Sequence, residues 1–322
     1  MIDPKTIAFA INGKSHRVRR HGSWLDRAAQ TRSVHSTFFI EDFATLQDQI
    51  EHLAQDGVTT FFVDGGDGTV SGILSACDAL ATTFASPPQF AILPGGSTNL
   101  AHKALGFKAT RFAAFQQKLD GLIDGATAKT ARQSALRITC AAWPIPEVGF
   151  LVSTGTVARA MRYVQREFHG TGRRGSTAVA MALVRFLVSP ETYMDRDGKP
   201  VLRGSAGVFQ TPNLHLEGQH GFSIMTSLPR LSLGLNPFWG TGPGGLALTH
   251  ANWPMPRFRS TLLNALTWKR RSGLHKGGLS SYRMDRLALK VDDPIMVDGE
   301  LREITPQDNI TITLTDPIGF LR

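Results

Sequence analysis

Residues 61–72, FFVDGGDGTVSG, constrain the fold more than any other stretch, because an apolar run there ends in a turn holding four glycines and two aspartates. Ile73, Leu74, Cys77 and Leu80 follow at helical spacing, so the segment reads as strand, tight turn and helix. Gly65, Gly66 and Gly68 allow a positive φ and let backbone N–H groups converge on an anion. The N-terminus of the following helix adds positive potential at the same point. A purely structural tight turn is the ordinary alternative. Neither common nucleotide loop is present: no Lys-Ser/Thr pair follows, and Ser71 stands where GxGxxG needs its last glycine.

The pattern recurs. Residues 94–99, PGGSTN, follow the apolar run QFAIL and open a short helix, LAHKAL, that stops at Gly106. TIAFAI (6–11), STFFI (36–40), TTFFV (59–63) and QFAIL (89–93) read as strands, with helical patterns over 43–53 (Phe43, Leu46, Ile50, Leu53) and 70–80 between them. Alternation of this kind predicts an α/β domain with a parallel sheet, both glycine turns lying at the edge where such sheets bind ligands.

Beyond about residue 130 the pattern changes to ALRITC, VGFLVST, FSIMTSL, RLALKV and NITITLT, separated by Gly and Pro and interrupted by a helical region near 156–188. This predicts a mainly β C-terminal domain, a sandwich or flattened barrel. The expected division is 1–128 for a nucleotide-binding α/β domain and 129–307 for the β domain, with the tail 308–322 packing back on the first. Two domains imply a cleft.

Composition supports a globular chain: of 322 residues, 42% are apolar and 19% charged, which excludes disordered and fibrous classes. The 35 Lys and Arg against 26 Asp and Glu leave a net charge of +9, an excess that suits a polyanionic partner. Cys77 and Cys140 are the only cysteines, far apart, so neither a disulfide framework nor a thiolate zinc site is expected, and a reducing cytoplasm fits. The longest apolar run, AVAMALVRFLV at 178–188, is short and carries Arg185, and no signal peptide is expected at the N-terminus.

A third acidic point is MVDGE, 296–300. On an extended strand Asp298 and Glu300 would project to one side, whereas Asp-Gly is also a common hairpin turn that would splay them.

In this order, GGDGTV (65–70), PGGSTNLA (94–101) and VDGE (297–300), with AINGKS around Asn12, resemble the diacylglycerol kinase catalytic-domain family, which includes bacterial lipid kinases, sphingosine kinases and ceramide kinases. GGDGT alone is shared with NAD kinases and resembles phosphofructokinase turns; the ordered set spans nearly the whole chain. The resemblance implies an N-terminal domain of phosphofructokinase/NAD kinase type, a C-terminal β-sandwich carrying the lipid site, and ATP with Mg²⁺ between them. It implies that Gly65, Gly66, Gly68, Thr69, Gly95, Gly96 and Ser97 cradle the phosphates, with Asn12 and Asn99 as further nucleotide contacts. Asp298 would accept the proton of the lipid hydroxyl and Glu300 would orient it or help hold magnesium through water. Asp67 would organise phosphate or metal, and it is the rival base, as in NAD kinases.

Three positions depart from the family pattern: Leu100 replaces an acid after Asn99, Val157 stands where many bacterial members have Asp, and Gly13 replaces the usual proline. The resemblance leads to a cytoplasmic, peripherally membrane-bound lipid kinase acting on a lipid alcohol, diacylglycerol or a ceramide/sphingoid-type lipid. Basic clusters at 16–21, 172–175 and 268–276, and Phe238, Trp239 and Trp253 in a Gly/Pro-rich loop, suit an anionic bilayer, although solvated basic faces and core-packed aromatics are the plain alternatives. No nucleic-acid motif accompanies the charge. Two other readings are a catalytically altered nucleotide- or lipid-binding protein and a NAD kinase; against the latter, no Asn-Glu dipeptide occurs.

Overall fold

The apolar runs TIAFAI, STFFI, TTFFV and QFAIL form a parallel sheet in the computed structural model of the chain, which describes residues 2–96, 99–168, 193–195, 198–231, 236–256, 259–261, 264 and 274–322, with the backbone alone for 164–168. The chain divides into two compact units, one of Met1–Ala135, Ile145–Val148 and Thr315–Arg322, the other of Leu136–Pro144 and Gly149–Leu314.

In the first unit β1 (Ile7–Ile11), β2 (Ser36–Phe39), β3 (Thr60–Gly65) and β4 (Gln89–Pro94) lie parallel in the order β2-β1-β3-β4. The last strand of the chain, β17 (Ile318–Leu321), extends the sheet parallel to β4, and β5 (Thr130–Gln133) closes that edge antiparallel to β17. Every residue of β1 and β3 is buried, as expected of central strands covered on both faces. Phe9 and Phe62 turn to one face and meet Phe107 and Phe115 there, with ring centroids 5.6–6.4 Å apart. Helices α2 (Trp24–Ala29) and α6 (Phe112–Ile123) supply Leu25, Phe115 and Leu119 to this core. α3 (Leu46–Gln55) packs on α4 (Asp67–Ala79), and Phe61 points away from Phe62, against Phe84 and Phe90.

Two helix starts differ from the periodicity. Phe43 belongs to a 3-10 turn ahead of α3; the residue is 49% exposed and its ring lies over Gly72. α4 begins at Asp67, so Asp67, Gly68 and Thr69 form its first turn, where periodicity placed a loop.

The second unit is antiparallel and β-rich. Its strands are β6 (Leu136–Cys140), β7 (Glu147–Gly149, of which only Gly149 belongs to this unit), β8 (Leu151–Gly155), β9 (Ser205–Thr211), β10 (Leu214–Thr226), β11 (Leu246–Asn252), β12 (Leu279–Met284), β13 (Arg286–Val291), β14 (Ile295–Val297), β15 (Glu300–Arg302) and β16 (Ile310–Leu314). They form one continuous hydrogen-bonded sheet, the mainly β C-terminal domain expected from the sequence. β10 makes this possible: residues 214–220 pair with β9, and beyond an irregularity at His220/Phe222 residues 222–226 pair with β8 and β11. The two halves share one core, in which Phe209, Leu287 and Ile312 from one side meet Val152, Met225 and Leu248 from the other. α7 (Thr156–Phe168) grows directly out of β8. The rest of the expected helical region near 156–188 lies outside the described residues.

Candidate functional site

The strand order of the first sheet reverses between β1 and β3, so the loops leaving their carboxyl ends diverge there, and crevices of this kind bind ligands in open α/β sheets. Asn12 leaves β1 at that point and its N–H donates to Asp64 O on β3 (3.0 Å). The Asn12 side chain is engaged on both sides: Nδ2 donates to Thr69 Oγ1 (2.9 Å) and Oδ1 accepts from Lys14 N (2.9 Å). Asn12 therefore fastens the first loop to the first turn of α4.

The two glycine turns lock together through their backbones. Gly95 N donates to Gly65 O (3.1 Å), and a Cβ built on Gly95 would lie 2.5–2.7 Å from Gly65 backbone atoms. A Cβ on Gly96 would meet Gly66 Cα at 2.6 Å, and one on Gly65 would meet Thr69 at 2.5 Å. None of Gly65, Gly66, Gly68, Gly95 and Gly96 has a positive φ. At Gly65, Gly95 and Gly96 the requirement is therefore the missing side chain and not a positive φ: a Cβ at 95 or 96 would fall on the backbone of the first turn, and one at 65 on Thr69. Their N–H groups are also used internally, Gly66 N donating to Ser15 Oγ (3.2 Å) and Gly96 N to Asn99 Oδ1 (2.9 Å). Asn99, left-handed at φ 52°, returns a bond from Nδ2 to Gly96 O (2.8 Å). Asn12, Thr69 and Asn99 thus brace the turns. Ser97 lies outside the described residues.

Both aspartates of the opening motif have structural partners. Asp64, fully buried, accepts from Arg17 Nη2 (3.0 and 3.1 Å), Ser23 Oγ (2.8 Å) and Trp24 N (3.3 Å). Arg17, in α1 (His16–His21), also donates Nε to Pro94 O (2.7 Å) and its backbone N to Gly95 O (2.9 Å). One arginine therefore joins the ends of β3 and β4. Asp67, 8% exposed, accepts from Ala101 N (3.0 Å) at the start of α5 (Leu100–Leu105), linking the first turn of α4 to the second glycine turn. Burial holds the nearby His102 imidazole below its usual value, against the opposing pull of the Phe107 backbone and Asp67.

In the second unit Asp298 and Gly299, at φ 48° and 96°, are the two-residue turn between β14 and β15. Of the two geometries open for VDGE, the hairpin holds, and Glu300 is exposed on β15. Asp298 folds back on the junction of β7 and β8: Oδ1 accepts from Phe150 N (3.0 Å) and Leu151 N (2.8 Å), and Oδ2 from Phe150 N (3.0 Å). A Cβ on Gly149 would stand 2.7 Å from Asp298 Oδ2, so glycine there makes room for the carboxylate.

Leu100 is 9% exposed and Val157 packs with Phe222 and Ala251, so both departures from the family pattern are apolar packing positions. Among the described residues no three His, Cys, Asp or Glu side chains gather as a metal cluster, and no helix is long and apolar enough to cross a membrane. Phe238 is 5% exposed, which removes it as a bilayer wedge; Trp239 packs against the Phe222 cluster, and Trp253 lies on Gly204. Of the basic clusters, Arg19, Arg20 and His21 are exposed while Arg17 is turned inward; 172–175 and 268–273 lie outside the described residues. Sequence reasoning missed Arg17 as a partner for Asp64, although an acid at the exit of an otherwise apolar strand calls for one.

Residues 9–131 match the family model of the diacylglycerol kinase catalytic domain. A crystal structure of a diacylglycerol kinase from Bacillus anthracis str. Sterne has a similar fold, with a TM-score of 0.60 at 10% identity, covering 98% of this chain and 96% of that one. Yeast NADH kinase, solved with NADH, has a TM-score of 0.52 at 9% identity, covering 98% and 83%. No curated protein sequence matches the chain. Over residues 9–131, which carry the glycine turns and most of the parallel sheet, the chain is thus similar to the diacylglycerol kinase catalytic domain.

Proposed function

We propose that the chain transfers the γ-phosphoryl group of ATP to the primary hydroxyl of a membrane lipid, diacylglycerol or a ceramide/sphingoid-type lipid. The observation that carries this reading is the pair of interlocked glycine turns at the carboxyl ends of β3 and β4, beside the N-terminus of the 13-residue helix α4. Backbone without side chains can approach a triphosphate closely, and phosphoryl transfer asks mainly for positioning and charge neutralisation. In this reading Asp298 accepts the proton of the attacking hydroxyl, its orientation fixed by the Phe150 and Leu151 N–H groups. Asp67 and Glu300 are carboxylates, the donor type magnesium takes, and each is a candidate to hold it, directly or through water. When bound there, magnesium supplies charge neutralisation at the phosphate oxygens.

Access to a lipid requires docking on a bilayer from the cytoplasmic side, and the exposed Arg19, Arg20 and His21 of α1 are suited to anionic headgroups. The test is incubation of the purified chain with labelled ATP, Mg²⁺ and a panel of diacylglycerol, ceramide and sphingosine in mixed micelles. Asp298→Asn is expected to abolish turnover while leaving ATP binding nearly intact, and full activity in that variant would remove Asp298 as the base. Absence of lipid phosphorylation under every condition would favour a nucleotide- or lipid-binding protein, a reading supported by the apolar Leu100 and Val157.

A further inference from the structure

Two stretches of the second unit, 150–162 and 293–303, hold one another at three points. At the tip of the β14–β15 hairpin, Asp298 is bound by Phe150 N and Leu151 N at the start of β8. At its base, Asp293 precedes β14 and forms an ion pair with Arg159 in the first turns of α7, with both side chains about 95% buried (4% and 5% exposed). Glu303, just after β15, pairs with Arg162 one turn further along α7. Between these anchors the ladder is short: β14 meets β8 only at Met296↔Ser153 and Val297↔Val152.

Arg159 is saturated. Nε donates to Val201 O (3.0 Å), Nη1 to Ser205 Oγ (3.3 Å) and Asp293 Oδ2, and Nη2 to Thr156 Oγ1 (3.2 Å) and Arg203 O (2.6 Å), so all five guanidinium donors have acceptors. A buried ion pair seldom stabilises more than apolar packing of the same volume would; its distinctive property is direction. The planar fork fixes Asp293 in position as well as distance. Asp293 in turn begins the five-residue path to Asp298.

We propose that Arg159 is a positioning residue for Asp298, acting through Asp293: the start of α7 sets the base of the hairpin so that the carboxylate at its tip meets the Phe150 and Leu151 amides. The kinetic consequence rests on the reading of Asp298 as proton acceptor; the geometric one does not.

The full-length chain and its Asp293→Asn and Arg159→Lys variants would be compared by amide hydrogen exchange and by lipid kinase assay. The Phe150 and Leu151 amides are expected to exchange at least about tenfold faster in both variants, with the amides of β13 and β16 unchanged. kcat is expected to fall by about tenfold or more at an unaltered KM for ATP. An Arg159→Met, Asp293→Leu double variant, which repacks the pair with apolar side chains, is expected to recover thermal stability without recovering kcat. Protection of Phe150 and Leu151 within about twofold of wild type in both single variants would overturn the proposal. So would recovery of kcat in the double variant. If the wild-type chain phosphorylates no lipid, the kinase reading fails, and the exchange measurement still decides the positioning role.

Discussion

At the scale of single residues, two neighbouring glycines make opposite predictions. Gly95→Ala would drive a methyl group into the Gly65 backbone, which has no flexible end to yield. It should cost about 2 kcal/mol or more. Gly66→Ala brings its Cβ to 3.4 Å from Gly96 Cα, an ordinary contact, at φ −85°, which any residue adopts. It should cost under about 1 kcal/mol. Urea unfolding of the two variants measures the difference, and equal losses would mean that the turns are not locked as described. Asp64 is the complementary case, a carboxylate with no solvent exposure that takes hydrogen bonds from Arg17, Ser23 and Trp24. Asp64→Ala leaves those donors without their acceptor. Because the Arg17 side chain is 20% exposed and can partly rehydrate, the expected loss is about 2–3 kcal/mol in the same measurement.

At the scale of elements, the β14–β15 hairpin separates fold from chemistry. Asp298 and Gly299 both have positive φ, which Asp and Asn tolerate and alanine does not. Asp298→Asn therefore keeps the turn and a side-chain oxygen for the Phe150 and Leu151 amides, whereas Gly299→Ala should cost about 1–2 kcal/mol at φ 96° with no clash, since nothing lies within 4 Å of its Cβ. Thermal melting checks both; an Asp298→Asn protein that melts far below wild type would show that the carboxylate charge holds the hairpin. Elements of this length were largely legible in the sequence. The strands of the parallel sheet are apolar runs with turn residues at their exits, and Asp-Gly in VDGE marks a two-residue hairpin by its own backbone preference. What could not be read depends on distant partners. The periodicity that includes Phe43 cannot distinguish a buried face from a ring lying over Gly72, and no local rule extends FSIMTSL backwards into the 13-residue β10, whose first half exists because β9 pairs with it. The reason for glycine at positions 95 and 96 is of the same kind, because it lies in the approach of two turns some thirty residues apart in the chain.

At the scale of the whole molecule, sensitivity to acid is concentrated in the second unit. His220 and His250 are 1% and 4% exposed and lie side by side, their rings stacked at 5.9 Å beside Phe209. His220 Nδ1 lies 2.8 Å from Ser205 O and so carries the proton, leaving Nε2 to accept from Thr154 Oγ1 (3.1 Å); His250 Nδ1 pairs with Ser223 Oγ (2.8 Å). Burial, and then the neighbouring His220, push His250 down to about 4. Burial likewise lowers His220, with the Ser205 carbonyl and Asp293 opposing and Arg159 reinforcing the shift. Both rings are therefore neutral in the folded chain near pH 7. In the unfolded chain they take up protons as pH falls through about 6.5. Their contribution to stability is fully present above that value and is lost as pH falls below it, for His250 down to about 4, where the folded state begins to bind that proton. For His250 alone the loss between pH 7.5 and 5 amounts to about 2 kcal/mol, and His220 adds to it. His102 of the first unit is also lowered, but it stands alone, so the slope of stability against pH should be steeper for amides of β10 and β11 than for those of β1 and β3. Hydrogen exchange at pH 7.5 and 5, with intrinsic rates corrected for pH, compares the two units directly. His250→Asn should flatten the dependence of β10 and β11, and an unchanged slope in that variant would mean that the acid sensitivity arises elsewhere.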